Sequence, residues 1–151
     1  MATLHKILSA HDGVKFASEH GTQTHARLQR IIIDGEKIHG DTELARTIAA
    51  IPELRKFFSP ASRTEVPIAG TINGRFISRR IDRLLIDNAT KSILILDYKT
   101  DVDCTAFRDK YVIQLREYAT LLRAIYPDYK ISAYILWTHD FLLEKLPIKP
   151  L

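Results

Sequence analysis

A single cysteine, Cys104, serves the whole chain. That excludes an internal disulfide, a four-cysteine zinc site and an iron–sulfur cluster held by one chain. Such poverty in cysteine fits a reducing compartment, and a cytoplasmic location is expected. Cys104 stands in a polar stretch with no histidine close in sequence, so it is incidental rather than a nucleophile. Long apolar runs are missing as well. None approaches the roughly 18 residues of a membrane span, and the N-terminus has no apolar signal region, so no membrane partner and no secretion signal are expected. No Gly-rich Walker loop occurs, and no Gly-x-Ser-x-Gly elbow. Internal repeats, low-complexity segments and linkers are also absent.

What remains is ordinary globular material. A hydrophobic fraction of 46% and a charged fraction of 26% in 151 residues give enough apolar side chain for one core, so residues 1–151 read as a single domain. The net charge is +4, a mild basic excess that suits an anionic partner such as nucleic acid without requiring one.

The apolar periodicity changes along the chain. Residues 1–14 are weakly patterned. A helix is expected from Thr22 to Ile33, with His25, Leu28 and Ile31 or Ile32 three or four apart, stopped by Asp34-Gly35. Asp41 can cap a second helix that buries Leu44, Ala45, Ile48 and Ile51. Pro52 can open a short third, Glu53 to Phe58. Strand signals follow: Arg63 to Ile68, with Pro67 marking an edge; a tight turn at Asn73-Gly74; then Phe76 to Ile86. Strict alternation on that strand would put Ile77, Ile81 and Leu85 on one side, with Asp82, Leu84 and Ile86 on the other. It would also put Arg80 on the Asp82 side and Arg79 with Arg83 opposite. Ile93 to Tyr98 is apolar on both faces and reads as a central, doubly covered strand. Residues 106–125 form the clearest helix, and Ile131 to Trp137 a last strand. The tail from Leu142 carries prolines and is expected to pack irregularly. The fold class is therefore α/β (α+β), in the order α-β-β-β-α-β, with extra N-terminal helices around a mixed central sheet.

Chemistry concentrates at two strand ends. Asp82 follows a run of β-formers, and Asp97 and Lys99 end the next one on the same side. Hard divalent cations take oxygen ligands, commonly one or two carboxylates. Lys99 could orient an attacking water or neutralise charge developing on phosphorus. Glu65, on the preceding strand, could lend another carboxylate or be a surface charge on an edge. Gln114 and Tyr118 share a face of the long helix, and a buried glutamine there needs a polar partner. His25 is one of six histidines, and nothing in its spacing singles it out.

Taken together, Glu65-Val66-Pro67-Ile68, Ile81-Asp82-Arg83-Leu84, Asp97-Tyr98-Lys99-Thr100 and Gln114-Leu115-x-x-Tyr118 resemble the RecB-type nuclease domain of the PD-(D/E)XK superfamily. Gly21-Thr22-x-x-His25-x-x-Leu28-Gln29 resembles that family's histidine motif. The likeness covers a core of about residues 21–138. It implies a restriction-endonuclease-like fold and a Mg2+- or Mn2+-dependent deoxyribonuclease, of a kind that serves DNA repair and recombination. The implied metal ligands are His25, Asp82, Asp97 and the Tyr98 backbone carbonyl. Lys99 would be the catalytic lysine, with Gln114, Tyr118 and Glu65 completing the site. DNA, single- or double-stranded, is the implied partner, with a helicase subunit as a second. Arg80, Arg83 and Arg116 are the expected phosphate contacts. Arg80 is a departure, standing where the family often has a small residue. No iron–sulfur cluster is expected, because that variant needs cysteines this chain lacks. The alternative is a DNA- or helicase-binding module that keeps the fold without cutting.

Overall fold

The computed structural model describes residues 21, 23–101, 105 and 107–149. The expectations for residues 1–14, for Thr22 as a helix start and for Cys104 fall outside them.

Residues 23–29 form helix α1. It ends earlier than its periodicity suggests. Ile32–Asp34 is strand β1, paired antiparallel with β2, Lys37–His39, around Asp34-Gly35. The physical reason is the triple isoleucine. β-Branched side chains resist the helix, and here Ile31 and Ile33 are buried while Ile32 is exposed, a period of two. Asp41 caps α2, Thr42–Ala49, accepting from the Leu44 amide at 3.0 Å. Pro52 opens α3, Pro52–Arg55, which runs into a 3₁₀ turn at Lys56–Phe58.

The main sheet has five strands in the order β3-β4-β5-β6-β7. β3 (Arg63–Ile72) and β4 (Arg75–Asp87) form a long hairpin. Its two-residue turn, Asn73-Gly74, has positive φ at both positions, which matches the twist of the strands it joins. β5 (Ser92–Lys99) pairs antiparallel with β4 and parallel with β6 (Lys130–Trp137), across the connecting helix α4, Arg108–Ile125. A βαβ crossover of this kind explains why β5 is apolar on both faces. The tail is not irregular throughout: Leu142–Leu146 is strand β7, antiparallel to β6. Glu144 pins it, accepting from Arg108 Nε at 2.7 Å and from Trp137 Nε1 at 2.9 Å.

Two cores sandwich the sheet. One lies under α4 and gathers Ile77, Ile81, Leu84, Ile93, Ile95, Leu115, Tyr118, Ile135 and Trp137. The other lies under the N-terminal helices and includes Leu28, Ile48, Leu54, Phe57, Phe58, Leu96, Tyr98 and Leu136. This is a mixed α/β fold in three layers. Among the described residues no helix is long and apolar enough to cross a membrane.

Strict alternation fails on β4. Ile77 and Ile81 belong to the α4 core, and so do Leu84 and Ile86 rather than Leu85. The side-chain period slips by one residue between Ile81 and Leu84. Glu65, directly across the hairpin in the register of β3 and β4, has φ +51, outside the strand region. The slip lies where the candidate site lies.

Candidate active site

The β4–β5 ladder runs from Asp87↔Ser92 up to Arg83↔Leu96 and stops. The next rung would set Asp82 opposite Asp97. Instead the strands part, and the Asp82 carboxylate fills the gap, accepting from the Tyr98 amide at 2.9 Å. Asp97 follows Ile93 and Ile95 on the α4 side of β5. Both aspartates are buried, at 8% and 3% exposure. Their carboxyl groups are close enough for the charge of Asp97 to bear on Asp82.

That closeness has an electrostatic consequence. Burial, then the Asp97 charge, push the Asp82 carboxyl far up, to about 8, against the smaller lowering effect of the Tyr98 amide. At neutral pH Asp82 therefore holds a proton. Two buried carboxyl groups that cannot both ionise freely are what a bound cation would relieve.

Lys99 supplies part of that compensation. Its Nζ lies 2.7 Å from Asp97 Oδ2. The contact is an ion pair of poor hydrogen-bond geometry, for Asp97 Oδ2 is buried with no hydrogen-bond partner. The ammonium is held elsewhere: it donates to Gln114 Oε1 at 3.1 Å and lies 4.2 Å from the centre of the Tyr111 ring. Gln114 Nε2 donates to the Tyr118 hydroxyl at 2.8 Å, which donates to the Arg80 carbonyl at 3.2 Å. The amide orientation follows from chemistry, since an ammonium can only donate and must meet the amide oxygen. Burial, and secondarily the Asp97 charge, raise the Tyr118 hydroxyl above its ordinary range, so it stays protonated as a donor. A chain of polar contacts thus runs from β5 through α4 to β4, with Lys99 at its head.

α1 brings His25 over the opposite side of the gap. Its Nε2 is 3.1 Å from the Tyr98 carbonyl oxygen, and its Nδ1 is 3.7 Å from Asp82 Oδ1. The ring meets Tyr98 edge-on, with centroids 5.4 Å apart.

All the residues expected at the centre are therefore neighbours: His25, Asp82, Asp97, Tyr98, Lys99, Gln114 and Tyr118. Whether they suit a divalent cation can be tested on their donors. Two carboxylates, an imidazole and a main-chain carbonyl are a donor set for Mg2+ or Mn2+. Asp97 Oδ2 is a buried oxygen lacking a hydrogen bond, and Nε2 and the Tyr98 oxygen are about as far apart as two adjacent ligands of a small cation with bonds of ~2.1 Å. The set fits the cation in kind. It is not drawn tight: among the described residues no three His, Cys, Asp or Glu side chains close on a common point at ligand distance.

Glu65 sits at the rim. Its carboxylate lies 3.8 Å from Arg80 Nη1. Arg80 does not crowd the centre, since its side chain is two-thirds exposed. The expected phosphate contacts need correction at Arg83. Because the alternation slips, Arg83 turns into the N-terminal core and is 1% exposed. Its guanidinium donates to the Tyr98 hydroxyl at 2.8 Å, to the carbonyls of Leu28 at 3.0 Å and Ile31 at 2.6 Å, and to that of Phe57 at 3.2 Å. It also stacks on Phe58 at 4.1 Å. No phosphate can reach it. Arg116 is half-buried on α4, with its Nε buried and unpartnered.

Other cations stand nearer the site. A cavity of about 410 Å³ beside Lys99 is lined by Arg79, Lys110, Tyr111, Ile113, Gln114 and Glu117. Arg79 faces α4, paired with Glu117 at 3.3 Å, and not the side shared with Arg83. Lys110 could have been found in the sequence, four residues before Gln114 on the same helix.

No family model matches this sequence, and no curated protein matches it. A solved structure described as "Crystal structure of SSO0001" aligns over 72% of this chain at 15% identity, with a TM-score of 0.39. The chain spans about half of that neighbour, 48% of its length. A likeness so weak carries no argument here.

Proposed function

We propose that this chain is a divalent-metal-dependent deoxyribonuclease of RecB type that acts in the cytoplasm on DNA undergoing repair or recombination. One observation carries the reading above the others: two adjacent buried carboxylates, Asp82 and Asp97, with a buried lysine beside them that is fixed by a Gln–Tyr pair. A merely structural ion pair needs no second acid. Building that pair costs the fold a raised Asp82 pKa, and such costs concentrate at working sites.

His25, Asp82, Asp97 and the Tyr98 carbonyl would hold Mg2+ or Mn2+. When bound, the cation supplies positive charge to the phosphoryl oxygens and acidity to the attacking water. The chain's own groups do the rest. Lys99, aimed by Gln114 and Tyr111, positions the water and offsets charge growing on a non-bridging oxygen. Arg79 and Lys110 receive the flanking phosphates in the cavity beside it. Burial of the aspartates keeps bulk water off the reacting phosphorus. Hydrolysis in line breaks the P–O3′ bond and leaves a 5′-phosphate. A helicase subunit is a fitting partner, since the sequence holds no Walker loop to drive movement along DNA.

The second reading, a DNA- or helicase-binding module that does not cut, draws on Lys99 lying against the oxygen of Asp97 that a cation would need. One experiment separates them. Wild type is incubated with single-stranded, linear duplex and closed circular DNA in Mg2+, Mn2+ or chelator, beside Asp97→Ala and Lys99→Ala. Metal-dependent cutting abolished by both substitutions is expected. Intact DNA under every condition, or cutting that survives both changes, would sink the nuclease.

A further inference from the structure

Among the described residues, the β3–β4 hairpin is covered on one face only. Ile77 and Ile81, with Val66 and Ile68 across from them, pack under α4, and α4 comes so close that a Cβ at Gly70 would meet Leu121 Cδ2 at 2.7 Å. The other face carries Phe76, Ser78 and Arg80, paired across the ribbon with Thr71, Ala69 and Pro67. All six are exposed, and none of them belongs to the core under the described N-terminal helices. Phe76 is 70% exposed, the most of any large apolar side chain among the described residues.

We propose that this outer face is the path by which an unpaired DNA strand reaches the Asp82–Asp97 centre, with the Phe76 ring stacking on a base and Arg80 meeting a phosphate. The proposal rests on the nuclease reading and names the form of DNA it takes. Three features argue for it. The face is continuous with the site, because Arg80 pairs with Glu65 and Glu65 stands across the hairpin from Asp82. Its cation can meet a polyanion: Arg80 is two-thirds exposed, and its one partner among the described residues is Glu65, at 3.8 Å. Its floor is made of small side chains, Ala69, Ser78 and Thr71, over which a sugar–phosphate chain can lie close. Phe76 stands six positions before Asp82, about 20 Å of strand, a span suited to about four nucleotides.

An unpaired strand fits better than a duplex. A ring can stack only on a base whose face is open. A bare two-stranded ribbon can enter a major groove, which is about 12 Å wide, but this ribbon has α4 against its back. The sheet and helix together are too thick to enter.

The test is binding without cutting. Fluorescently labelled 12-residue oligo-dT is titrated by anisotropy in chelator, against wild type, Phe76→Ala, Phe76→Leu and Phe76→Trp. Ile125→Ser, at the far end of α4, is the control. Urea melting verifies that each variant is folded, which the exposure of Phe76 makes safe. About tenfold weaker binding is expected for Phe76→Ala and Phe76→Leu, with Phe76→Trp near wild type. Arg80→Gln should lower the salt slope by about 0.7. Phe76→Ala within twofold of wild type overturns the path, and so does Phe76→Leu binding as wild type does. An equal loss on a hairpin duplex would mean paired DNA is read. A dimer that Phe76→Ala dissolves would mean the face meets a second copy. Cleavage is scored separately. Wild type that binds through Phe76 yet cuts nothing in Mg2+ or Mn2+ refutes the nuclease and leaves the path standing.

Discussion

Replacing Arg83 by methionine should unfold more than it unbinds. The side chain is buried and no carboxylate among the described residues pairs with it; its positive charge is met by main-chain oxygens and the Tyr98 hydroxyl. Leu28 and Ile31 offer theirs at the carboxyl end of α1, where helix carbonyls lack intrahelical donors and the dipole is negative. Phe57 offers another from the 3₁₀ turn, and Tyr98 its hydroxyl from β5. One guanidinium therefore ties three segments to β4. Methionine fills much of the space but donates nothing. The Ile31 and Phe57 carbonyls and the Tyr98 hydroxyl lose this donor, each at roughly 1–3 kcal/mol if it stays dry, while the Leu28 carbonyl keeps the Ile31 amide at 3.2 Å. Relief from burying a charge offsets part of this. The net loss should be about 3 kcal/mol, a large share of the 5–15 kcal/mol typical of a domain. With a urea slope of about 2 kcal/mol per molar, the midpoint should fall by about 1.5 M. Arg83→Lys should lose most of that too, since one ammonium cannot span acceptors set around a planar fork. The assay is urea denaturation followed by tryptophan fluorescence, Trp137 being the only one. DNA binding is read below the transition. A midpoint shift under about 0.3 M, together with weaker DNA binding and a smaller salt slope, would refute the reasoning and return Arg83 to the DNA surface.

Other expectations concern the site and its supports. Gln114→Ala should lower kcat about tenfold or more with KM nearly unchanged, because it frees Lys99 without touching substrate; a change confined to KM would contradict this. In chelator, stability should fall as pH rises from about 4 to about 8, by up to about 1.4 kcal/mol per unit, since the folded state keeps an Asp82 proton that the unfolded chain has released. The contribution is complete below pH 4 and gone above pH 8, and Asp82→Asn should flatten the curve measured by urea melts. Glu144→Ala should cost about 1–2 kcal/mol, as Arg108 and the Trp137 indole lose their acceptor together; an unchanged melting temperature would show that β7 is held otherwise.

Much of this was legible in the residues, and the misses share a cause. The Asn73-Gly74 hairpin, the doubly covered β5 and the helix over 108–125 follow from local chemistry and period, which survive packing. The i, i+4 pair Gln114 and Tyr118 declared a polar need on a buried face. That the need is met by Lys99 is a tertiary fact: the nearest chain distance is 15 residues. α1 ran too long because apolar spacing cannot weigh β-branching against helix, and three isoleucines settled it. β7 was missed because its anchor, Glu144, is an acid whose partners lie on α4 and β6. Arg83 was misread because alternation was carried through the one place on β4 where it breaks.

That break has a cause in charge. Continued in register, β3, β4 and β5 would set Glu65, Asp82 and Asp97 in a row across three adjacent strands. Like charges directly opposite destabilise a sheet. The fold escapes in three ways at once. The β4–β5 ladder stops one rung short, and the Tyr98 amide is spent on Asp82 instead of a carbonyl. Asp82 takes up a proton. Glu65 adopts a left-handed backbone, at a cost of about 1–2 kcal/mol for a residue with a Cβ. Asparagine or serine at any of the three positions would have removed the conflict and allowed a regular sheet. A chain that keeps all three acids, and bends its backbone to do so, carries a conflict that the cation of the proposed function would relieve. The same bend turns Arg83 inward to fasten α1, and with it His25, over the gap, so the strain that opens the site also supplies the means of closing it.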